Sequence, residues 1–320
     1  FSSRWPGLLL RSGLNPDEAQ WISAAMKLLH DPVFWRSVDG NTSGPLNIFP
    51  LVLPALFGFR LEYASARLIG LILITLSSLW LYYSLKALYG LRLARLSVMP
   101  VVTCIALMRD LDLIHYSSEH VPVFLLSLSL LLLCKYYFAG KNVLALSFGF
   151  VIGLIPYAKL QAVPVAFALF LVFVCILWFK RISKVEFLRK LSLSVLGAVS
   201  FSVLIAIYLS IFSLWGDFWK TYIMTDLVYH RGADSGFLKI FFHSVNFVYY
   251  FRDVLEMEDT GKLLQLTGIF SAASLPLLAL SYSRRDTKRP PSSSFIFYGL
   301  FFLAASVYVT LPFRSMLLNG

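Results

Sequence analysis

The amino-acid sequence predicts an all-α polytopic membrane protein, and three observations carry that prediction. Of its 320 residues 58% are hydrophobic and only 14% charged, with a mean hydropathy of +0.74, whereas a water-surrounded domain has about 45–50% apolar and about 25% charged residues. The apolar residues gather into long runs, as at 121–133 and 162–179. The charges sit in blocks between those runs. Together these exclude a soluble enzyme, a disordered chain and a disulfide scaffold. The three cysteines, Cys104, Cys134 and Cys175, lie inside apolar runs without metal-site spacing and read as small core residues.

A spanning helix needs about 20 mostly apolar residues. On that basis we place eight spans, at 63–86, 96–112, 119–138, 143–158, 162–179, 191–214, 262–283 and 294–312. Gly149 and Gly153 form a G-x-x-x-G spacing in the fourth, a signature of close helix packing. The stretch 46–59 is apolar but broken by Pro50 and Pro54. Counting it as a span would invert the charge pattern of every later loop, so it reads as a re-entrant or interfacial helix. Four regions follow: an outer first loop at 1–62, a six-span core at 63–214, an outer loop at 215–261, and two last spans within 262–320. Almost nothing precedes Asn15, and we expect a membrane helix ahead of Phe1 and further chain beyond Gly320.

Fourteen of the 28 Lys and Arg residues fall in one set of loops (Lys86, Arg92, Arg95, Lys135, Lys141, Lys180, Arg181, Lys184, Arg189, Lys190, Arg284, Arg285, Lys288, Arg289) with only Glu186 and Asp286 beside them. The other basic residues are matched by 15 acids, so the whole excess of +11 lies on one face. The positive-inside rule assigns that face to the cytoplasm, against membrane lipid, and nucleic acid is excluded as a partner because no basic patch remains on a soluble domain.

The opposite, outer loops hold the acids. Asn15-Pro16-Asp17-Glu18 is a helix start, with Asn15 as N-cap and Pro16 at N1. The helix runs to about His30 and sets Trp21, Ala25 and Leu28 on one face, as an interfacial helix would. Asp17 and Glu18 either simply favour the helix N-terminus or hold a carboxylate at the membrane surface as general base. A second cluster, Asp110, Asp112, His115 and Glu119, follows Arg109. His115 and Glu119, four apart, would share a face if helical. With Asp112 they could hold Mg²⁺, Mn²⁺ or Zn²⁺, or the loop is merely solvated. Glu119 opens an apolar span and is costly there without a partner. Lys159, between two apolar segments on the same side, either snorkels or binds an anionic headgroup or lipid-linked phosphate. The aromatics of 215–261, Trp215, Phe218, Trp219 and Tyr222 among them, either stack on sugar rings or form an interfacial belt, and read first as the belt. The sequence has no P-loop, G-x-S-x-G, H-E-x-x-H or G-x-G-x-x-G motif, so no nucleotide cofactor is expected and the energy must arrive with the substrate.

Several of these segments match a known pattern in order and sidedness: Asp17-Glu18-Ala19, Asp31-Pro32, Thr42-Ser43-Gly44-Pro45-Leu46, Leu56-Phe57-Gly58, Ala66-Arg67-Leu68, Tyr116-Ser117-Ser118-Glu119 and Ala158-Lys159-Leu160-Gln161-Ala162-Val163-Pro164. Over roughly residues 14–165 the chain resembles GT-C glycosyltransferases, in particular family 39, the protein O-mannosyltransferases and the bacterial lipid A aminoarabinose and galacturonic acid transferases. The resemblance implies a GT-C-like bundle in a bacterial inner membrane. The sugar would come from a polyprenyl-phosphate donor and pass to a protein, lipid A or glycan acceptor on the outer face, with inversion. It also implies Asp17 as base, with Glu18 beside it and Glu119 as the second acid. Lys159, supported by Arg67 or Arg109, would be the cation for the carrier phosphate. Gly44 departs from the pattern, which has proline there. A transporter or flippase of a lipid-linked anion is the alternative; it calls for charge pairs deep in the spans and inverted repeats.

Overall fold

A computed structural model describes residues 15–40, 42–107 and 115–225. Among these the secondary structure is helical apart from two isolated bridge pairs, Phe34 with Val38 and Ser43 with Lys159. Four helical segments are long and apolar enough to cross a membrane: Tyr63–Tyr89, His120–Ala139, Leu160–Phe179 and Lys184–Ile211. The chain therefore has the character of an α-helical membrane protein. The expected spans at 262–283 and 294–312 lie outside the described residues.

Helix α1, Pro16–His30, starts as its sequence dictates. The Asn15 side chain accepts from the Asp17 amide at 3.0 Å and Pro16 takes the first helical position. It buries Trp21, Ala25 and Leu28 as expected, and does so against protein. Helix α2, Pro45–Leu56, keeps Pro50 and Pro54 inside and stays short, with Ile48 and Leu51 buried and Phe49, Leu53 and Leu56 exposed.

Helix α3, Tyr63–Tyr89, opens on a capping box between Glu62 and Ser65 and ends at Gly90, whose φ of +84° suits glycine. That break lets α4, Leu91–Leu107, begin at once. The span expected at 96–112 thus starts five residues early and includes Arg92 and Arg95, which the sequence pattern had assigned to a loop. Its Ala94 and Val98 are buried against Leu85 and Tyr89.

Helix α5, His120–Ala139, closes on Gly140 in the left-handed region. Helix α6, Asn142–Leu154, runs into a 3₁₀ turn, Ile155–Tyr157, and is shorter than a full span. After a second 3₁₀ turn, Leu160–Ala162, comes α7, Val163–Phe179. Helix α8, Lys184–Ile211, is capped by Ser183, which accepts from the Glu186 amide. It takes in Lys184–Lys190, seven residues earlier than the expected span at 191, because this cap sits ahead of the basic run.

The closest helix packing joins α6 to α8. A Cβ at Gly149 would stand 1.9 Å from the Ser194 carbonyl oxygen, one at Gly153 2.1 Å from that of Ala198, and one at Gly197 2.3 Å from that of Leu146. The G-x-x-x-G is a backbone contact, and Gly197 is the partner the sequence did not reveal. Around it α5, α6 and α7 build one apolar core, including Leu133, Phe148, Phe173 and Leu177. A second core ties α1, α2 and the 33–38 turn to the far end of α8. There Tyr222, in the π-helical Phe218–Met224 segment, is buried beside Trp35 and donates to the Pro156 carbonyl. Tyr222 is therefore a core residue rather than part of an aromatic belt, while Trp215 and Trp219 are exposed.

Candidate functional site

While Asp31 pairs with Arg36 at the surface and Leu56 and Phe57 are exposed, five of the seven segments quoted from the sequence converge at one end of the helices. The starts of α1, α2, α3 and α5 and the 3₁₀ turns before α7 meet there, and each contributes a polar side chain that would be costly to bury alone.

Glu18 is fully buried, on the face of α1 turned away from water, while its neighbour Asp17 is exposed in the same first turn. Successive helical residues differ by about 100°, so adjacent acids take opposite environments. Arg67, 2% exposed in the first turns of α3, donates to Glu18 through Nε at 3.1 and 3.2 Å and through Nη2 at 2.9 Å. The Tyr116 amide donates to Glu18 Oε1 at 3.0 Å, and His115 Nδ1 stands 3.5 Å from Oε2. Both carboxylate oxygens are thus engaged. Glu18 serves as an anchor between α1, α3 and the start of α5, and it is not placed to act as base. Arg67, spent on Glu18, is likewise not a free cation for a carrier phosphate.

The second pair is Lys159 with Glu119. Lys159 is 5% exposed and its Nζ donates to Glu119 Oε1 and, at 3.1 Å, to Ser118 Oγ. The Glu119 side chain is 31% exposed, so this pair is open on its acidic side. Glu119, the N-cap of α5, has the partner that its position demanded, and Lys159 does not snorkel. His115 and Glu119 do not share a helical face, because α5 begins only at His120.

Asn47 and Tyr116 join the two pairs. Asn47 Nδ2 donates to the carbonyls of Ser118 and Ala158, each at 2.9 Å, and the Tyr116 hydroxyl donates to the Asn47 carbonyl at 2.6 Å. Burial pushes the Tyr116 phenol far above its ordinary range, so it remains a donor. The Gly44 amide donates to the Ala158 carbonyl at 2.9 Å, and a Cβ at Gly44 would lie 2.1 Å from the Tyr157 carbonyl oxygen. Proline fits neither condition, which explains the departure at Gly44. Asn47 Oδ1 and Ser43 Oγ are buried without a hydrogen-bond partner among the described residues. Unsatisfied acceptors beside Lys159 are places where a bound ligand could donate or be held. Sequence reasoning missed Asn47, and quoted Tyr116 without giving it a role. The signal for Asn47 was a lone amide in an otherwise apolar helix.

Arg109, Asp110 and Asp112 lie outside the described residues. Of the metal set proposed from sequence, His115 is turned to Glu18 and Glu119 to Lys159. Among the described residues no three His, Cys, Asp or Glu side chains gather. With an ammonium already on Glu119, the described donors do not fit a divalent cation.

The chain matches no protein-family model and no characterised protein.

Proposed function

We propose that this protein is an integral membrane glycosyltransferase of the GT-C type, moving a sugar from a polyprenyl-phosphate carrier to an acceptor on the outer face of a bacterial inner membrane. What supports it most is the meeting of Glu18, Arg67, Ser43, Asn47, Tyr116, Glu119 and Lys159, from motif segments far apart in sequence, in one polar network with Asp17 exposed at its edge.

In this reading Asp17 takes the proton of the acceptor hydroxyl. The freed oxygen pair attacks the anomeric carbon from the face opposite the phosphate, the carbon–oxygen bond to the phosphate breaks, and the configuration inverts. The departing phosphate takes the bonding electrons, and Lys159 stabilises its charge by exchanging Glu119 for a phosphate oxygen. Glu18 and Arg67 hold α1 against α3 so that Asp17 stays in position.

A transporter or flippase would need charge pairs deep in the spans, and both pairs here sit at helix ends. The decisive experiment follows carrier turnover in lipid with a panel of radiolabelled polyprenyl-phosphate sugars. Turnover of one donor that collapses in Asp17→Asn supports the reading. Turnover unaffected by that substitution removes Asp17 as base. Carrier binding without turnover of any donor favours transport.

A further inference from the structure

The opposite end of α5 carries a second polar arrangement, independent of the proposed transfer. Tyr136 is 0% exposed, and its ring packs on Phe173 with centroids 4.9 Å apart. Its hydroxyl has no hydrogen-bond partner among the described residues. A buried phenol without a partner forfeits the hydrogen bond that water would have given it, which needs a reason.

Two ammonium groups stand over the same ring. Lys180 Nζ, just past the end of α7, is 5.7 Å from the Tyr136 centroid, and Lys190 Nζ, in the second turn of α8, is 5.8 Å from it. Lys190 is 6% exposed and pairs with Glu186 at 2.6 Å. Lys180 donates to the Tyr137 carbonyl, which caps α5, and an ammonium has two further N–H groups to give. The cluster thus holds two cations, one carboxylate and one orphan hydroxyl donor. Partial burial first, and Lys190 second, hold the Lys180 ammonium below its ordinary range, as expected where like charges lack a shared counter-ion. Lys135, Lys141, Lys184 and Arg189 belong to the same end, and Glu186 is the acid that faces it. A Cβ at Gly140 would lie 3.8 Å from Lys190 Nζ, so the turn that ends α5 runs beside this ammonium.

We propose that Tyr136, Lys180 and Lys190 form a binding site for a phosphate group, with the Tyr136 hydroxyl and both ammoniums donating to its oxygens. A phosphodiester carries the single negative charge that brings the cluster to neutrality. Paired ammoniums with a hydroxyl donor suit phosphate oxygens. The group is either an anionic lipid headgroup or free phosphate.

The test uses the full chain, delipidated in a phosphate-free maltoside detergent and titrated separately with short-chain phosphatidylglycerol and inorganic phosphate, reading the thermal unfolding midpoint. Wild type is expected to gain a saturable upward shift. Tyr136→Phe, which keeps the ring and its packing, weakens the half-saturating concentration about tenfold or more, the loss of one hydrogen bond to a charged group. Lys180→Gln weakens it further, and Lys135→Gln, at an exposed lysine of the same helix, leaves it unchanged. A shift with phosphatidylglycerol alone identifies a lipid headgroup; an equal shift with inorganic phosphate identifies free phosphate. No shift with either probe overturns the site. So does an equal loss in Lys135→Gln and Lys180→Gln, which would mean diffuse attraction to the basic end.

Discussion

The two ends of α5 lie about 30 Å apart, the length of its 20 residues, and they handle charge in opposite ways. At the His120 end Glu18 and Arg67 are sealed from water and Lys159 nearly so, and each meets a counter-charge with directed hydrogen bonds. At the Tyr136 end cations outnumber acids. The Lys190–Glu186 pair is half open to water, with the Glu186 side chain 39% exposed. A charge taken out of water demands a specific partner, whereas one left at the rim is neutralised by solvent, salt or an incoming anion. One end is fixed by its own residues and the other is left with a charge to be met from outside.

The sharpest way to break this contrast is Glu18→Gln. It leaves Arg67 buried without its counter-charge and should cost about 3–5 kcal/mol of stability, read as a lowered unfolding midpoint in detergent. Glu18→Leu with Arg67→Met together should recover much of that loss, since no charge is then buried. A cost below about 1 kcal/mol for Glu18→Gln, the level of a surface pair, would make the two ends alike.

Lys159→Met comes next. It takes the ammonium from a carboxylate about one-third exposed, so we expect a smaller loss, about 1–3 kcal/mol, accompanied by loss of carrier turnover. Retained turnover would remove Lys159 from the phosphate's path. At the other end Glu186→Gln should cost less than either, because the Glu186 side of this i,i+4 pair is open to water, and added salt should shrink that cost. The Glu18 effect should persist in salt, because buried pairs are screened much less.

The smallest effect is a pH dependence. The folded chain holds the Lys180 ammonium below its ordinary 10.5, so between the folded value and 10.5 the unfolded chain binds more protons. Stability then rises with pH across that interval. Bound phosphate would favour the charged form and flatten that rise, and Lys180→Gln would abolish it. Unfolding midpoints measured between neutral pH and about 10.5 check both.

Much of this was legible without a structure because it is local. The Asn15 cap, the Pro16 start, the apolar face of α1, the proline-broken α2 and the G-x-x-x-G all follow from residues within a turn or two of one another. The start of α4 was misplaced because Gly90 joins two helices directly, and a charge-free window cannot see that Arg92 and Arg95 ride on a helix. Tyr222 looked like an interfacial aromatic because nothing nearby in sequence announces Trp35 or Pro156.

The acids and cations of the site were likewise identifiable one by one, but not who meets whom. Glu18 and Arg67 are 49 residues apart and Glu119 and Lys159 are 40 apart, and a pairing across such distances leaves no trace in spacing. By itself the sequence determined a helical membrane protein and pointed to a basic excess in one set of loops, because hydrophobic length and charge placement act residue by residue. Only the tertiary structure decided that Asp17 stays in water while Glu18 is buried as an anchor, and that Lys159 is held by Glu119. Those outcomes depend on which helices pack together and therefore on which charges lose their water.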